Sequence, residues 1–258
     1  MALLEVKNLS VVYPNSSFPA VDNLSFELKE GEILCVVGES GSGKSTLLRA
    51  IAGLLPKNTR VSGEIIFKGK NLLSLSSKER RRIMGKDIGV VFQEPSVYLD
   101  PLFKVGEQIR ETCQIHFPQR DCKEAALSSL RYCGIPDAER VYNSYPHQLS
   151  GGLKQRVNIA DATVNNPSLL LADEPTTALD VSTQKRILAL FRKLRHDGKA
   201  ILLVTHDFGV VWEVADRVLV MKDGRKVEEG SVFEIYENPK HPYTRKLVSI
   251  FKELSSLI

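Results

Sequence analysis

The chain has 258 residues, of which 43% are hydrophobic and 26% are charged. This balance is typical of a folded globular protein and excludes a disordered or collagen-like chain. The longest apolar runs, such as residues 200–204, are far shorter than the roughly 20 residues of a membrane-spanning helix. The net charge of +4 is too small to indicate nucleic-acid binding by itself.

Cysteine usage predicts a reduced environment. The four cysteines include no Cys-x-x-Cys pair and no histidine at metal-ligand spacing. Cys35 lies in an apolar strand pattern and fits a small buried residue. Glu5 interrupts the apolar start of the chain, so no export signal is predicted. We therefore expect a reduced, cytosolic compartment for the four cysteines, which are Cys35, Cys113, Cys122 and Cys133.

Predicted strands and helices alternate along most of the chain. After two strands, residues 32–37 are apolar beyond the first position and predict a strand buried on both faces. A glycine-rich loop and a helix at residues 44–53 follow. Short apolar strands that alternate with helices indicate an α/β fold with a mainly parallel sheet. Further strand candidates lie at residues 64–67, 88–92, 168–172, 199–205 and 217–222, and a Lys-Asp-Gly sequence at residues 222–224 predicts a hairpin.

Helical patterns alone occupy the middle of the chain. Asp121 and Glu124 have the spacing of a capping box, and Gly134 fits the end of the helix that follows. We therefore predict a helical lobe that is inserted into a sheet domain. The predicted organisation is a sheet domain at residues 1–94 and 166–230, the helical lobe at residues 95–165, and a tail of two short helices at residues 231–258.

The glycine-rich loop is Gly-Glu-Ser-Gly-Ser-Gly-Lys-Ser at residues 38–45, which fits the pattern G-x-x-x-x-G-K-[ST] at every fixed position. Its glycines let consecutive backbone N–H groups point at phosphate oxygens, and the following helix adds its positive dipole end. We expect Lys44 to reach the β- and γ-phosphates and Ser45 to complete a Mg²⁺ shell. The loop predicts a nucleoside triphosphate but does not choose among kinase, GTPase and ATPase, although the sequence has no Asn-Lys-x-Asp guanine motif.

An acidic pair follows a second buried strand pattern. Residues 169–172 are apolar and are followed directly by Asp173 and Glu174. Alternation along a strand sends the two side chains in different directions. Asp173 is then expected to hold Mg²⁺ through water, and Glu174 to polarise the attacking water. Taken alone, the pair could equally begin a surface loop.

A pair of adjacent glycines opens a helix within residues 149–156, Leu-Ser-Gly-Gly-Leu-Lys-Gln-Arg. Ser150 fits the helix cap, while Gly151 and Gly152 expose backbone N–H groups at the positive helix end. This predicts a second anion site, which one nucleotide on one loop does not require. The alternative is a plain helix cap, which does not need two glycines.

Together these motifs resemble the nucleotide-binding domain of the ABC ATPases over almost the whole chain. The resemblance implies a P-loop NTPase fold of the ABC type, with a mainly parallel core sheet, an antiparallel β subdomain and an inserted helical subdomain. It implies ATP and Mg²⁺ as cofactors. It also implies a dimer in which each ATP lies between the Lys44 loop of one subunit and the Ser150 turn of the other.

The resemblance assigns roles to further residues. Gln93, in Val-Phe-Gln-Glu-Pro, resembles the glutamine that senses Mg²⁺ and links to a membrane partner, and His206 resembles the switch histidine at the γ-phosphate. Residues 178–180 resemble the loop that crosses the dimer interface, and Tyr13 is a candidate for the ring stacked on adenine, with Phe18 as its competitor. The implied catalytic residues are Glu174, His206 and Gln93, and the implied metal ligands are Ser45, Gln93 and Asp173. The implied nucleotide-binding residues are Tyr13, Gly38, Ser40, Gly41, Gly43, Lys44, Ser45, Thr46, Ser150, Gly151, Gly152, Gln155 and Asp180.

The tail resembles one branch of this family. Residues 238–244, Asn-Pro-Lys-His-Pro-Tyr-Thr, resemble the tail of ATPases from peptide- and nickel-type importers. This implies a peripheral subunit at the cytoplasmic face of the cell membrane. The implied partners are integral-membrane permeases, a second ABC ATPase that is a copy or a sibling of this chain and, indirectly, an extracytoplasmic substrate-binding protein. No nucleic acid is implied. The stop at Ile258, without a longer cysteine-bearing tail, favours the nickel-type members slightly. The alternative is a soluble ABC ATPase that serves a multienzyme complex of the carbon–phosphorus lyase type.

Two charged features stand outside these motifs. Asp161 occupies a helix position where relatives usually have a small or apolar residue, so we expect it to be exposed or to have a cationic partner. The basic run at residues 78–82 could contact phospholipid head groups or a partner, but a solvated helix face is the favoured interpretation.

Overall fold

The computed structural model describes residues 2–255. Its described part contains ten strands, which are β1 (Ala2–Val12), β2 (Val21–Lys29), β3 (Ile33–Val37), β4 (Arg60–Phe67), β5 (Lys70–Asn71), β6 (Ile88–Val91), β7 (Leu169–Asp173), β8 (Ala200–Thr205), β9 (Arg217–Lys222) and β10 (Arg225–Ser231).

The same residues form eleven α-helices, with short 3₁₀ turns at Leu72–Ser74 and Pro146–Gln148. The helices are α1 (Lys44–Ala52), α2 (Ser77–Ile83), α3 (Pro95–Tyr98), α4 (Val105–His116), α5 (Cys122–Tyr132), α6 (Ala138–Tyr142), α7 (Gly151–Thr163), α8 (Val181–His196), α9 (Phe208–Val214), α10 (Val232–Glu237) and α11 (Pro242–Ser255).

The chain divides into two compact units. Unit 1 comprises Met1–Ser76 and Arg195–Ile258, and unit 2 comprises Ser77–Leu194. Unit 1 therefore contains most of the strands, whereas unit 2 contains β6, β7 and most of the helices. The predicted boundaries of the helical lobe, residues 95–165, stay a prediction.

Unit 1 contains strands of two sheets. One sheet is antiparallel, with the order β2-β1-β4-β5. In the other, β3 pairs in parallel with β8 and β9, and β10 pairs antiparallel with β9. All residues of β3 and β8 are buried, as expected of parallel strands that are covered on both faces. The predicted hairpin is confirmed, since Asp223 and Gly224 both have positive φ between β9 and β10.

Unit 2 combines a parallel strand pair with a group of helices. Strands β6 and β7 run in parallel, with Val91 opposite Ala172. Helix α5 begins at the predicted cap, where the Asp121 side chain accepts a hydrogen bond from the Glu124 N–H. It ends at Tyr132, two residues before Gly134, which has positive φ. The basic run lies on α2, which has no buried residue.

One predicted strand is longer in the structure than in the sequence pattern. Strand β4 begins at Arg60 rather than at Glu64. Gly63 has a φ of 96°, and a Cβ atom there would lie 2.5 Å from the Asn8 carbonyl oxygen. The pairing register of β1 with β4 shifts near this point, as at a bulge. The exposed residues around the bulge give no apolar alternation, so the sequence does not reveal the first half of β4.

The expectation of reduced cysteines is wrong for two of the four. Cys113 and Cys122 form a disulfide across a sequence separation of 9, with Cα atoms 5.6 Å apart. Helix α4 contains Cys113 and α5 begins at Cys122, so the turn between the two helices brings the sulfur atoms together. The spacing of the cysteines in the sequence does not predict this pair. Cys35 and Cys133 are free and buried, and Cys35 is the buried strand residue that was predicted.

Candidate functional site

The phosphate loop of unit 1 joins β3 to α1. Two of its glycines are sterically required. A Cβ atom at Gly38 would lie 2.2 Å from the Met221 carbonyl oxygen, and one at Gly43 would lie 2.2 Å from the Ala20 carbonyl oxygen. Gly43 also has a φ of 99°. Ser40 and Gly41 are exposed at the tip of the loop, where a ligand has access to the backbone.

Lys44 is held inside the loop that it follows. Its Nζ donates to the carbonyl oxygen of Gly38 at 2.7 Å and to that of Glu39 at 2.8 Å. It also donates to the Ser42 hydroxyl at 3.3 Å. Lys44 is buried, and its ammonium group is therefore positioned by the loop backbone at the start of α1, where the helix dipole also favours an anion.

Other predicted residues of unit 1 lie beside this loop. The Tyr13 hydroxyl is 3.0 Å from the Thr46 hydroxyl, so Tyr13 is linked to the first turn of α1, which also contains Ser45. Phe18, the competing aromatic residue, is 80% exposed and lies in the same connection as Tyr13.

His206 lies at the same edge of the sheet as the phosphate loop. Val37 pairs with Thr205 in the parallel β3–β8 ladder, so Gly38 and His206 both follow directly after paired residues. The carboxyl ends of parallel strands are where ligands bind in open α/β sheets. His206 is exposed, and the Asp207 side chain caps the helix that follows by accepting from the Gly209 N–H at 2.7 Å.

A tail residue that the sequence did not indicate as part of the site also contacts the loop. The Glu39 N–H donates to the Tyr243 hydroxyl at 2.8 Å. Tyr243 belongs to the tail sequence Asn-Pro-Lys-His-Pro-Tyr-Thr, which the sequence presented only as a marker of the family branch. The two prolines, the histidine and the tyrosine within these seven residues were the available signal.

In unit 2 the structure brings two predicted catalytic residues together. The Gln93 side-chain Nε2 donates to Glu174 Oε2 at 3.3 Å, and the Thr177 hydroxyl donates to the same oxygen at 2.8 Å. The parallel ladder explains this proximity, because Val91 and Ala172 are paired and both chains leave the sheet at the same edge.

Asp173 and Glu174 have different backbone conformations, so strand alternation alone does not set the directions of their side chains. Asp173 is the last residue of β7, and Glu174 follows with a φ of 43°. This left-handed conformation is uncommon for a residue with a side chain and costs on the order of 1 kcal/mol. The expected alternation along a strand therefore ends at Asp173, and a turn directs the Glu174 carboxylate to Gln93 and Thr177.

The glycine pair at residues 151–152 forms the start of α7. Ser150 is the cap, and its hydroxyl accepts from the Leu153 N–H at 3.4 Å. A Cβ atom at Gly152 would lie 2.4 Å from the Thr183 methyl group. Asp180 accepts from both the N–H and the hydroxyl of Thr183, and these bonds lower the pKa of its carboxyl group. The predicted turn and the predicted interface loop are thus in contact through Thr183.

Gln155 does not fit its predicted place among the nucleotide contacts. Its side chain is 1% exposed, and its Oε1 accepts from the Asn158 side chain at 3.5 Å. Because successive side chains point in different directions around α7, position 155 faces the interior of the unit, whereas Ser150 does not. Ser150 and Gly151 are exposed, in contrast.

Helix α7 also contacts the segment around Gln93 through a row of polar residues. Lys154 donates to the Ser96 hydroxyl at 3.2 Å, and the Asn158 side chain donates to the Phe92 carbonyl oxygen at 2.9 Å. The spacing of 154, 158 and 161 puts these side chains on one face of the helix. The third, Asp161, accepts from the Tyr98 hydroxyl at 2.5 Å.

The expectation for Asp161 is wrong. The residue is 4% exposed, and within the described residues its partner is a tyrosine hydroxyl rather than a cation. Burial raises the pKa of the Asp161 carboxyl group, and the hydroxyls of Tyr98 and Thr112 oppose this shift. A sequence pattern cannot show a hydroxyl 63 residues away that faces a buried carboxyl group.

The sequence matches the family model described as ABC transporter over residues 21–177. It is 44% identical to the oligopeptide transport ATP-binding protein OppD of Lactococcus lactis subsp. cremoris, over 95% of this chain and 75% of that protein. It is 45% identical to the dipeptide transport ATP-binding protein DppD of Haemophilus influenzae, over 99% of this chain and 79% of that protein.

Solved structures resemble the fold closely. The ATP-binding cassette MJ0796, in a dimeric post-hydrolysis state bound to ADP and Pi, gives a TM-score of 0.79 at 34% identity, over 89% of this chain and 98% of that one. The protein cbiO1 from Clostridium perfringens, part of the ABC transporter complex cbiONQ, gives a TM-score of 0.79 at 29% identity, over 99% of this chain and 98% of that one.

The strand–loop–helix around Lys44 and the α/β fold define a P-loop nucleoside triphosphatase. The chain belongs to the ABC transporter family and is an ATP-binding and ATP-hydrolysing subunit of the ABC type. The fold class expected from the sequence is confirmed by these structural neighbours. Within residues 2–255, no helix combines the length and the apolar character needed to cross a bilayer.

Proposed function

We propose that the chain is the ATPase subunit of a peptide importer, in which it couples ATP hydrolysis to the movement of partner permeases. The observation that supports this most strongly is the identity of 43–46% with oligopeptide and dipeptide transport ATP-binding proteins across 95% or more of this chain. The same relatives support the importer interpretation over the soluble accessory ATPase, which was the alternative from the sequence.

In this proposal the groups of unit 1 bind the triphosphate of ATP. The backbone N–H groups of the loop tip and the dipole of α1 attract the phosphate oxygens. Lys44 leaves its carbonyl partners and pairs with the β- and γ-phosphates, a stronger charge-assisted contact. Tyr13 stacks on the adenine ring, and His206 contacts the γ-phosphate.

The groups of unit 2 supply the hydrolytic chemistry. Glu174 accepts a proton from the attacking water, and its contacts with Gln93 and Thr177 hold the carboxylate in place before the reaction. The turn at Ser150, Gly151 and Gly152 donates hydrogen bonds to the γ-phosphate of ATP that is bound by a second cassette, either a copy of this chain or a sibling.

The donor chemistry of the predicted metal ligands fits Mg²⁺. Ser45, Gln93 and Asp173 offer hydroxyl, amide and carboxylate oxygens, which Mg²⁺ prefers to nitrogen or sulfur. Within the described residues no cluster of three His, Cys, Asp or Glu side chains could hold a metal, so the ion would depend on phosphate oxygens and water as well. When it is bound, Mg²⁺ neutralises charge that develops on the phosphates.

We further propose that the subunit is peripheral, at the cytoplasmic face of the membrane, and that its partners are integral-membrane permeases. An extracytoplasmic binding protein delivers the cargo. Peptides are the proposed cargo because the relatives above are named for them. Nickel import, to which the tail motif is also related, is the competing cargo, and uptake of labelled peptide and of Ni²⁺ by vesicles with the complete transporter separates the two.

The hydrolytic role is tested by replacing Glu174 with glutamine. We expect Glu174→Gln to bind ATP with unchanged affinity, to lose nearly all turnover, and to accumulate an ATP-bound dimer. An exposed carboxylate of the tail provides the matched control, since Glu237→Gln should hydrolyse ATP like the wild type. Lys44→Ala should instead lose ATP affinity itself. Wild-type turnover by Glu174→Gln would remove that residue from its proposed role.

A further inference from the structure

The tail motif at residues 238–244 is not used by the function proposed above, yet hydrogen bonds hold it to strand β10 of the same unit. The Glu228 carboxylate of β10 accepts from the Lys240 N–H at 2.8 Å and from the His241 N–H at 2.9 Å. His241 Nδ1 in turn accepts from the Tyr243 N–H at 3.2 Å. These bonds fix the start of α11, where Tyr243 is the second residue.

From this anchored position Tyr243 reaches the phosphate loop. Its side chain is 7% exposed, and the Lys222 ammonium group lies 5.3 Å from the centre of its ring. The hydroxyl accepts the Glu39 N–H at 2.8 Å. Because Glu39 is the second residue of the loop, this contact fixes the point at which the chain leaves β3.

Tyr243 and Lys44 bind opposite sides of one peptide group. The N–H of Glu39 and the carbonyl of Gly38 belong to the same planar peptide unit. Its N–H donates to Tyr243, and its carbonyl oxygen accepts from Lys44 Nζ at 2.7 Å. The orientation of this peptide thus determines where the Gly38 carbonyl oxygen, and with it the lysine ammonium group, is held.

We propose that Tyr243 is a positioning residue for the phosphate loop: its hydroxyl fixes the Gly38–Glu39 peptide so that the loop is preorganised for a triphosphate. The inference rests on the assignment of this loop to ATP binding. It gives the tail motif a role in nucleotide affinity, since a disturbance of the Glu228 anchor would reach the loop through Tyr243.

The removal of the hydroxyl should weaken ATP binding without a loss of fold. Tyr243→Phe keeps the buried ring and removes one hydrogen bond to a backbone N–H, which is worth on the order of 1 kcal/mol, or about fivefold in affinity. We expect the Kd of ATP to rise about fivefold and kcat at saturating ATP to stay the same. A loss that acted only through general stability would lower kcat together with the melting temperature.

The experiment compares Tyr243→Phe with Tyr236→Phe in the full chain. Tyr236 is the matched control, because it lies in the same tail and packs its ring 4.3 Å from that of Trp212. ATP binding is measured by titration calorimetry, and backbone exchange by hydrogen–deuterium exchange without nucleotide. For Tyr243→Phe we expect faster exchange confined to peptides that cover residues 38–42.

Two results would overturn the inference. One is unchanged exchange of residues 38–42 in Tyr243→Phe, and the other is an equal change in ATP affinity for both variants. The exchange measurement needs no nucleotide, so it tests the contact even if the wild type hydrolyses no ATP. In that case the proposed function fails and the role of Tyr243 in the loop is judged separately.

Discussion

Asp161 gives a prediction about stability that follows directly from its surroundings. A carboxylate has about four acceptor sites. The Tyr98 hydroxyl donates to Oδ2 of Asp161, whereas the buried Oδ1 has no hydrogen-bond partner among the described residues. Asp161→Asn keeps an acceptor for Tyr98 and removes the charge. We therefore expect this variant to be more stable than the wild type at neutral and alkaline pH.

The size and the pH range of the effect follow from the raised pKa of Asp161. An incompletely compensated buried charge costs about 1–3 kcal/mol, so the variant should gain about 2 kcal/mol at high pH. Below about pH 4, the ordinary pKa of Asp, both states carry the proton and the gain vanishes. As the pH rises above this value the unfolded chain ionises first, so wild-type stability falls until the folded carboxyl group ionises too.

The assay is urea unfolding followed by circular dichroism at about pH 4.5, 6 and 8, for Asp161→Asn, the wild type and Glu139→Gln. Glu139 is exposed, so its variant should show no gain that grows with pH. A constant difference between Asp161→Asn and the wild type at all three pH values, or a destabilised variant at the highest, would refute the reasoning about the buried charge.

Further predictions concern the loop and the disulfide. Gly43→Ala should weaken ATP binding by more than about tenfold, because its Cβ would collide with the Ala20 carbonyl oxygen. Gly198 also has positive φ but has open space around it, so Gly198→Ala should bind ATP normally. Titration calorimetry of both variants with ATP tests this prediction. Cys122→Ser should lower the free energy of unfolding by about 2–3 kcal/mol in oxidising buffer, and dithiothreitol should remove the difference by destabilising the wild type. A wild-type stability that does not respond to the reductant would contradict the second prediction.

The sequence predicted the parts of the fold that depend on local patterns. The apolar run of β3, the loop glycines and the helix at Lys44 are neighbours in the chain, so their structure follows from propensity, burial and the demand for positive φ. Strand β9 was predicted with its observed bounds, and the hairpin turn that follows it was predicted at its observed place, for the same reason. The partners of Gln93 could be anticipated only through the parallel pairing of two strands.

Contacts between segments that are distant in the chain could not be predicted from the sequence. Tyr243 and Glu39 are separated by 204 positions, and the bond between them depends on how the tail returns to the loop. Asp161 was expected to avoid burial, yet a tyrosine hydroxyl replaces the missing cation. The disulfide was not predicted, because its two cysteines follow no motif and come together only through the turn between α4 and α5.

In the proposed function, two cassettes share each ATP between the Lys44 loop of one and the Ser150 turn of the other. The most direct test is a crystal structure of Glu174→Gln grown with Mg²⁺ and ATP. We expect a dimer in which the Ser150 hydroxyl of one subunit lies within hydrogen-bond distance of the γ-phosphate held by the other. Nucleotide bound at Lys44 with every Ser150 hydroxyl remote from phosphate would contradict it.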